Sequence, residues 1–555
     1  MDSHDADMMR GLPIGTSNFR KLRENDSYYV DKTGLIIDIL DNKDVEAFLF
    51  TRPRRFGKSL SLSMIDAFFN IEYEGNTWFK GLEVSESALC APHRNRYPVA
   101  SLSLKGLDLR NAESFERSLA DKISDVFCRF GYLCTHEDDS PLTKRFCRIR
   151  SGEADLTDLG SSFKLLTRML AEHHGRRAIV LIDEYDSPAN SSRGEPVQKE
   201  AIGFVRRFMA ETLKDNDSLE FGIVTGVMQI AKEDMFSGMN NLYVNNVFSE
   251  DMGERFGFTE SEVRRLVAEA GRPEMMADIR EWYDGYRFGN SDVYNPWSIL
   301  NCVKKGFRMS PYWIWEGNPE MILDCIKNLG PEATAALAKI YNDETVVMKV
   351  KERLTSSDLG SLEGLLSLMV ASGYLKAVPS QRECFSFSLP NREVREGLME
   401  QLVSAARISG KMNDVSKAIL SGDPDGLCRF LQESLDRSAD VSLLRDEYDY
   451  GLFTLGLLDC MSATHFIRPE RGAGKGYADI AVIPRDGKGP SAVLELKKPR
   501  GAPGGESLSK SAEDAILQIK ERRYFADLHG EVMLYGIAFR QTDVSVSFER
   551  VARRE

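Results

Sequence analysis

The chain has 555 residues, enough for two to four domains that each bury a core of their own. Apolar residues make up 42% and charged residues 28%, and no apolar run reaches the ~18 residues of a membrane span, so no span is expected. The net charge of −13 argues against a surface that binds nucleic acid everywhere and leaves room for a local basic groove.

Cysteine usage and the N-terminus predict a cytoplasmic protein. The nine cysteines are scattered without a CxxC pair, which favours reduced thiols over disulfides or a metal site. The acidic segment 1–7 lacks the basic-then-apolar order of a secretory signal, and residues 1–11 are predicted to be flexible.

Residues 12–256 alternate strand-like and helical patterns. Apolar strand candidates cover residues 47–51, 99–104, 178–182 and 219–225. Helical candidates lie between them at 58–70, 114–130, 161–172 and 197–213. This alternation predicts a doubly wound α/β domain with a largely parallel sheet.

The turn after the first strand has the features of a phosphate-binding loop. It ends Gly57-Lys58-Ser59 and opens an amphipathic helix, so backbone N–H groups at a helix N-terminus would face the phosphates. We assign Lys58 to the β- and γ-phosphates of a nucleotide and Ser59 to Mg²⁺. The position six residues before the lysine, where glycine is usual, is Arg52, so the motif needs support from elsewhere in the chain.

That support comes from the strand candidate 178–182, which leads into Asp183 and Glu184. An Asp at the carboxyl edge of a buried strand can hold Mg²⁺, and the Glu that follows can polarise the attacking water. Thr225, at the end of the fourth strand, is either the residue beside the γ-phosphate or an ordinary strand-end threonine. The alternative, a cationic turn and an unrelated acidic strand end, is disfavoured because the two motifs occur in the expected order.

Five arginines leave their roles open. Arg52, Arg54 and Arg55 either contact phosphate or form a solvated rim, and we favour phosphate contact for one of the three. Arg206 and Arg207 either act as fingers on a neighbouring molecule's nucleotide or lie on a helix surface, and the second interpretation is favoured.

Residues 257–440 change to short helices and turns. Thr259 with Glu262 three residues later predicts a capped helix start. A helical run at 365–370 precedes a strand at 373–378, for which 385–389 is the expected hairpin partner. We predict a helical arm with a winged-helix-like unit.

Residues 441–555 predict a small α/β domain. A helix at 446–458 precedes strands at 477–483 and 491–496, then a helix at 510–525 and strands at 532–539 and 544–548. Glu495 and Lys497 lie two apart on one strand and therefore share a face. Pairing that strand with the one bearing Asp479 would gather two carboxylates and an ammonium in one pocket. Such a pocket could bind Mg²⁺ and activate the water that attacks a phosphodiester.

Further residues extend this pocket. Gln518 could join it from the following helix, and Glu447 from the preceding helix is another candidate ligand. Basic side chains near the pocket either track a phosphate backbone or form a solvated surface, and we favour a nucleic-acid groove. They are Arg468, Arg471, Lys475, Lys498, Arg500, Lys520, Arg522 and Arg523.

Several motifs of the first half resemble the AAA-ATPase-like family of bacterial and archaeal proteins. They read Leu-Pro-Ile-Gly at 12–15, Tyr-Tyr-Val-Asp-Lys-Thr at 28–33, Arg-Pro-Arg-Arg-Phe-Gly-Lys-Ser-Leu at 52–60, Ile-Asp-Glu-Tyr-Asp at 182–186, Phe-Ser-Gly-Met-Asn-Asn-Leu at 236–242 and Trp-Tyr-Asp-Gly-Tyr at 282–286.

This resemblance implies ATP as the nucleotide and Mg²⁺ as its cofactor. The residues that it places around the nucleotide are Arg55, Gly57, Lys58, Ser59 and Leu60. It also implies that arginine at position 52 is normal for the family. Relatives often carry a basic residue where this chain has Gln229. If that residue senses the γ-phosphate, either hydrolysis is slow here or the contact comes from elsewhere.

The last segment resembles the PD-(D/E)XK nuclease superfamily, in the branch that accompanies AAA-ATPase-like domains. The shared layout is a helix with Glu, a strand with Asp, a strand with Glu-x-Lys and a helix with Gln-Ile. It implies active-site places for Glu447, Asp479, Glu495, Lys497 and Gln518, with Mg²⁺ on Asp479 and Glu495. Gly451 stands where relatives commonly have His.

The sequence therefore predicts four segments: a flexible N-terminus (1–11), an AAA-ATPase-like P-loop domain (12–256), a helical arm with a winged-helix-like unit (257–440) and a nuclease-like domain (441–555). Our hypothesis is an ATPase whose nucleotide state controls a Mg²⁺-dependent nuclease acting on DNA in preference to RNA. The alternative is an ATP-dependent switch or scaffold whose inactive nuclease fold binds nucleic acid or a protein. A homo-oligomer is left open.

Overall fold

A computed structural model describes residues 11–134, 140–192, 195–228, 239–314, 320–329, 331–341, 343–355, 357–397, 412–437, 447–458, 461, 464–473, 476–485, 487–499 and 507–552. The chain forms two compact units. The first unit contains residues 1–318 and 336–395, and the second contains 319–335 and 396–555. Almost all of the predicted flexible N-terminus lies outside the described residues.

The first unit is built around a five-stranded parallel sheet. Its strands are β1 (Ala47–Thr51), β2 (Val99–Ser103), β3 (Ala178–Asp183), β4 (Leu219–Gly226) and β5 (Leu242–Asn245). Their order across the sheet is β2-β3-β4-β1-β5, and every neighbouring pair is parallel. The carboxyl ends of all five strands therefore meet at one edge, where the predicted nucleotide site lies.

Helices cover both faces of this sheet, which explains why β1, β3 and β4 read as almost continuous apolar runs. The helices of this part are α1 (Phe19–Glu24), α2 (Gly34–Asp41), α3 (Lys58–Phe69), α4 (Glu83–Glu86), α5 (Ala112–Arg129), α6 (Pro141–Arg150), α7 (Leu156–Gly160), α8 (Ser162–His174), α9 (Ser187–Ser191) and α10 (Gln198–Leu213). One face of the sheet packs against α5, α6, α8 and α10 in a single apolar cluster. On the other face, Phe69 of α3 packs edge-on to Phe221, with 5.4 Å between the ring centroids.

Short elements follow the sheet. A capping box formed by Thr259 and Glu262 begins α11 (Glu260–Glu269), because each side chain accepts the other residue's backbone N–H. The remaining elements are α12 (Met276–Tyr283), the hairpin β6 (Tyr286–Phe288) and β7 (Ser291–Val293), α13 (Pro296–Lys304), α14 (Glu320–Leu329), α15 (Pro331–Tyr341), β8 (Val346–Met348), α16 (Leu362–Ala371), β9 (Lys376–Pro379) and β10 (Phe385–Ser388). Strands β8, β10 and β9 pair antiparallel in that order.

The second unit contains a five-stranded mixed sheet with helices on both faces. Helices α17 (Met412–Ser421), α18 (Pro424–Arg437) and α19 (Glu447–Leu458) pack on one face, and α20 (Leu508–Arg522) packs on the other. The strands, in spatial order, are β11 (His465–Ala473), β12 (Gly476–Pro484), β13 (Ser491–Lys497), β14 (Glu531–Arg540) and β15 (Asp543–Ala552). Only the β13–β14 pair is parallel, and α20 is its crossover connection.

The predicted fold class is confirmed: a doubly wound parallel sheet in the first unit and a small α/β sheet in the second. The strand 47–51 has the predicted bounds, and the other predicted strands and helices differ by a few residues at their ends. The hairpin expected at 373–378 and 385–389 forms as β9 and β10. The predicted domain boundaries at 257 and 441 stay predictions.

Several elements were not predicted, among them β5, β11 and α6. Strand β5 is four residues long, and β11 contains Pro469 and two arginines, so neither has the apolar pattern that identifies a strand. Both lie at sheet edges, where short length and polar or proline residues are tolerated. Helix α6 was missed because its sequence is mostly polar, although Ser140 caps it and Pro141 occupies its first position.

Gly536 should be essential for the packing of α20 on the second sheet. A Cβ atom at this position would lie 2.0 Å from the carbonyl oxygen of Ala512. We expect Gly536→Ala to destabilise the second unit by about 1–3 kcal/mol. The measurement is hydrogen–deuterium exchange of the α20 amides in the full chain at increasing urea concentrations.

Gly451→Ala is the matched control, because a Cβ there would meet only the Leu496 side chain at 3.6 Å. Since Gly451 lies within α19, alanine should be neutral or stabilising by up to about 1 kcal/mol. Equal protection of α20 in both variants would contradict the packing role of Gly536.

Candidate functional sites

The phosphate-binding loop connects β1 to α3 as the sequence predicts. β1 ends at Thr51, α3 begins at Lys58, and Gly57 is the N-cap residue of α3. Gly57 has φ +87°, a left-handed conformation that glycine adopts at little cost. Nothing lies within 4 Å of where its Cβ would be, so backbone conformation rather than crowding accounts for the glycine.

Lys58 is buried inside this loop. Its side chain is 8% exposed, and its Nζ atom donates hydrogen bonds to the carbonyl oxygens of Arg52 and Pro53, both at 2.8 Å. Burial lowers the pKa of Lys58 to about 8, while the carboxylates of Asp186, Asp183 and Glu184 act in the opposite direction. The ammonium group is thus positioned by the loop's own backbone at the head of α3.

Asp183 joins three elements at the carboxyl edge of the sheet. Its Oδ2 atom accepts a hydrogen bond from the Ser59 hydroxyl at 2.6 Å, and its Oδ1 atom accepts one from the Thr225 hydroxyl at 2.5 Å. The structure therefore brings together the three oxygen-bearing side chains predicted around Mg²⁺ and the γ-phosphate. Hydroxyl and carboxylate oxygens are ligands that suit Mg²⁺, so this donor set fits the ion.

Glu184, the predicted water-activating residue, follows Asp183 with φ +51°. Its side chain is 31% exposed and lies 3.4 Å from Nζ of Lys105, while its backbone N–H donates to Asp183 Oδ1 at 3.0 Å. A positive φ is uncommon for a residue with a Cβ atom and marks a constrained position. The side chain is thereby held at the rim of the site, next to the predicted metal ligand.

Arg52 makes its contacts inside the protein. Its guanidinium is fully buried and donates to the carbonyl oxygens of Thr51 (2.9 Å) and Asn245 (3.0 Å) and to Asn245 Oδ1 (2.5 Å). It also lies 4.9 Å from the ring centroid of Phe256 and 5.1 Å from that of Phe288. Arg52 therefore ties β1 to β5, and only Arg54 and Arg55 of the three loop arginines are exposed.

Arg55 and Leu60 complete the predicted nucleotide contacts. Arg55 has φ +69°, and its guanidinium stacks 4.2 Å from the ring centroid of Trp297. Leu60 lies in the first turn of α3 and is half-buried. On α10, the Arg207 side chain packs against Gly160 of α7, in keeping with the favoured helix-surface role. Gln229 lies outside the described residues.

Sequence reasoning missed Asp186, although it belongs to the Ile-Asp-Glu-Tyr-Asp motif. Asp186 is 2% exposed, and its Oδ2 atom accepts the backbone N–H groups of Val227 (3.0 Å) and Met228 (3.2 Å) just after β4. Burial raises the pKa of its carboxyl group, and the nearby Lys58 opposes that shift. Asp186 thus holds the segment that follows Thr225 and faces the loop lysine.

The second cluster lies on the mixed sheet of the second unit. As predicted, β12 and β13 pair, with Ile480 opposite Leu494. Oδ2 of Asp479 accepts the backbone N–H of Leu496 at 2.7 Å, which places Asp479 beside Glu495. Burial, together with the charge of Asp479, raises the pKa of Glu495 to about 7 against the opposing effect of Lys497.

Glu495 receives the two side chains predicted to join it. Its Oε1 atom accepts hydrogen bonds from Lys497 Nζ at 3.0 Å and from Gln518 Nε2 on α20. Its Oε2 atom is buried and has no protein hydrogen-bond partner. A buried carboxylate oxygen without a partner, beside a second carboxylate, suits a divalent cation. Asp479 and Glu495 therefore fit Mg²⁺.

Other predicted members of this site are less defined. α19 begins at Glu447. The side chains of Glu447 and Arg471 lie outside what the structure describes, and so do the whole residues Lys475 and Arg500. Within the described residues, no group of three or more His, Cys, Asp or Glu side chains is arranged to hold a metal. Lys520 forms an ion pair with Glu549 at 2.9 Å, which places it on the solvated surface.

Comparison with known proteins identifies both regions. Residues 13–236 match a family described as "Predicted AAA-ATPase", and residues 445–549 match the PD-(D/E)XK nuclease superfamily, so both resemblances are confirmed. These matches indicate ATPase and nuclease-like enzymatic potential. The chain is also 29% identical to an "Uncharacterized protein in vnfD 5'region" of Azotobacter chroococcum mcd 1, over 96% of this chain and 97% of that protein. Among the described helices, none is both long and apolar enough to cross a membrane.

Arg52→Ala tests the buried contact between β1 and β5. Truncation leaves Asn245 Oδ1 without its donor in a buried position, so we expect a loss of about 3 kcal/mol or more in the stability of the first unit. The measurement is urea unfolding of the full chain followed by amide exchange in β1 and β5. The control, Arg54→Ala, removes an exposed arginine of the same loop and should change stability little. Amide exchange in Arg52→Ala that matches the wild type would contradict the proposed role of Arg52 in joining β1 to β5.

Proposed function

We propose that this chain, which carries an AAA-ATPase-like domain ahead of a PD-(D/E)XK nuclease superfamily domain, hydrolyses ATP and cuts nucleic-acid phosphodiesters under the control of its nucleotide state. The observation that carries the nuclease half is Glu495, a buried carboxylate with one oxygen bound to Lys497 and Gln518 and the other without a partner. An ordinary strand carboxylate would be solvated or fully paired.

At the nucleotide site, Lys58 would neutralise the β- and γ-phosphates, while Ser59 and Asp183 would hold Mg²⁺. Binding exchanges the hydrogen bonds that Lys58 and Ser59 make within the protein for bonds to the nucleotide and its cation. Thr225, whose hydroxyl donates a hydrogen bond to Asp183, would contact the γ-phosphate and so couple its presence to the position of β4. Glu184 would orient the attacking water.

At the nuclease site, Asp479 and Glu495 would hold Mg²⁺, which when bound polarises the scissile phosphate and lowers the pKa of a water molecule. Lys497 would orient that water and offset negative charge at the phosphate, since its Nζ atom is within hydrogen-bonding distance of Glu495. Gln518 would fix the rotamer of Glu495 from α20. Glu447 is proposed as a further ligand, as the family layout suggests.

The proposal also covers the substrate, the cellular location and the cofactors. We favour DNA over RNA, a cytoplasmic location and ATP with Mg²⁺ as the cofactors. The second candidate function, an ATP-dependent switch whose nuclease fold only binds nucleic acid or a protein, is favoured by the absence of a third acidic ligand among the described residues.

The deciding experiment incubates the full chain with DNA or RNA and Mg²⁺ or Mn²⁺, with and without ATP. Metal-dependent cleavage should be lost in Asp479→Ala/Lys497→Ala and kept in Lys510→Ala, which removes an exposed lysine of α20. Lys58→Ala should abolish ATP binding, and Glu184→Gln should slow hydrolysis by roughly 100-fold or more while ATP still binds. ATP should therefore change the cleavage rate of the wild type and leave that of Lys58→Ala unchanged.

Each part of the proposal can fail separately. Absence of cleavage under every condition, with ATP turnover intact, would support the switch. Unchanged ATP binding in Lys58→Ala would show that the nucleotide site is wrongly assigned.

The pKa of Glu495 predicts how metal binding depends on pH. With a pKa of about 7, Glu495 is mostly protonated at pH 6 and mostly ionised at pH 8, and only the carboxylate binds the cation. Mn²⁺ affinity should therefore rise roughly tenfold from pH 6 to pH 8 and then level off. Calorimetry in buffers of different ionisation enthalpy should show proton release on binding. Glu495→Gln should lose this dependence, and equal wild-type affinity at both pH values would contradict it.

A further inference from the structure

Phe466, on the edge strand β11, is an exposed aromatic side chain with two arginines close to its ring. It is 37% exposed, and its ring centroid lies 4.4 Å from the Arg485 guanidinium and 5.3 Å from that of Arg468. A single exposed ring is ordinary on a protein surface, but a ring beside two guanidinium groups presents a π surface and positive charge together. The combination of an exposed ring and stacked guanidinium groups therefore points to a ligand.

Strand geometry places Phe466 on the face of the sheet that carries the nuclease pocket. Ile467 packs into the core formed with α17–α19, so its neighbours Phe466 and Arg468 point to the opposite face. Ile483, which pairs with Phe466 across β11 and β12, packs on the α20 side. Asp479 lies four residues from Ile483 on β12 and so shares that face.

The spacing between this ring and the pocket suits a polynucleotide. Four residues along a strand span about 13 Å, or roughly four nucleotides at the 3.4 Å spacing of a stacked strand. Arg468 pairs with Ala481, between the levels of Phe466 and Asp479, and supplies positive charge along the path. Arg485 and the exposed Lys488 add charge at the outer end. The patch is thus basic in a chain whose net charge is −13.

We propose that Phe466, Arg468 and Arg485 form a base-stacking platform that feeds single-stranded nucleic acid into the pocket of Asp479 and Glu495. This rests on the proposed nuclease function and narrows its substrate to single strands or unpaired ends. In a duplex the base faces are covered by their neighbours, so a flat ring can stack on a base only where the strand is unpaired. Arginines beside the ring add phosphate contacts and cation–π stacking.

The test measures binding of fluorescent 20-nucleotide DNA, single-stranded or duplex, by anisotropy with EDTA present so that no cleavage occurs. Phe466→Ala should weaken single-strand binding about 5- to 100-fold, as expected for loss of one stacked base, and change duplex binding less than twofold. Phe466→Trp should retain single-strand affinity, whereas Phe466→Leu, which keeps apolar volume without a π face, should lose it. Arg485→Ala should lower the salt dependence of binding by about one ion.

Tyr132→Ala is the matched control, because Tyr132 is an exposed aromatic residue of the first unit at 45% exposure. Unchanged single-strand affinity in Phe466→Ala, or equal losses for single strand and duplex, would overturn the platform. Equal competition by poly-glutamate and by oligothymidylate for the Phe466-dependent binding would overturn it in favour of an acidic protein partner.

Failure of the platform can be told apart from failure of the nuclease. Phe466-dependent binding of single strands by a wild-type chain that never cleaves would support the platform and remove the nuclease. Cleavage by the wild type with the same KM for single strands in Phe466→Ala would keep the nuclease and remove the platform.

Discussion

The carboxylate of Asp183, shared between the hydroxyl groups of Ser59 and Thr225, is the contact on which the predicted nucleotide site depends. It joins the first turn of α3 to the ends of β3 and β4, three segments that are far apart in sequence. Because β4 lies between β1 and β3, side chains must reach across a strand to meet, and Asp183 does so from the end of β3. The positions of Lys58 and Glu184 follow from the elements that this contact fixes.

Both units bury charged side chains, and they supply hydrogen-bond partners to those side chains in different ways. Charges removed from water need partners, and each site supplies them from the protein itself. In the first unit, backbone carbonyls hold the Lys58 ammonium, and backbone N–H groups hold Asp186. In the second unit, Lys497 and Gln518 satisfy one oxygen of Glu495 and leave the other without a partner. In the proposed function, both arrangements exchange protein contacts for ligand contacts.

Residues whose roles follow from local order could be predicted from the sequence. Lys58, Ser59 and Asp183 stand at strand ends and a helix start, and Glu495 and Lys497 share a face through the two-residue period of a strand. The role of Arg52 could not be predicted, because it depends on Asn245, which lies 193 residues later on a strand too short to recognise. β11 was missed for a related reason, since an edge strand rich in arginine lacks an apolar pattern, and the position of Phe466 was hidden with it.

The order in which the chain enters its two units limits how it can be divided. Residues 319–335 belong to the second unit, but the chain then returns to the first unit at 336–395 before the second is completed. The polypeptide therefore passes between the units three times. A fragment beginning at 396 would lack a segment of the fold that it is meant to represent, and one ending at 318 would lack α16 and the β8–β10 sheet. Limited proteolysis near 318, 335 or 395 should yield nicked chains whose pieces stay associated, rather than two separable domains.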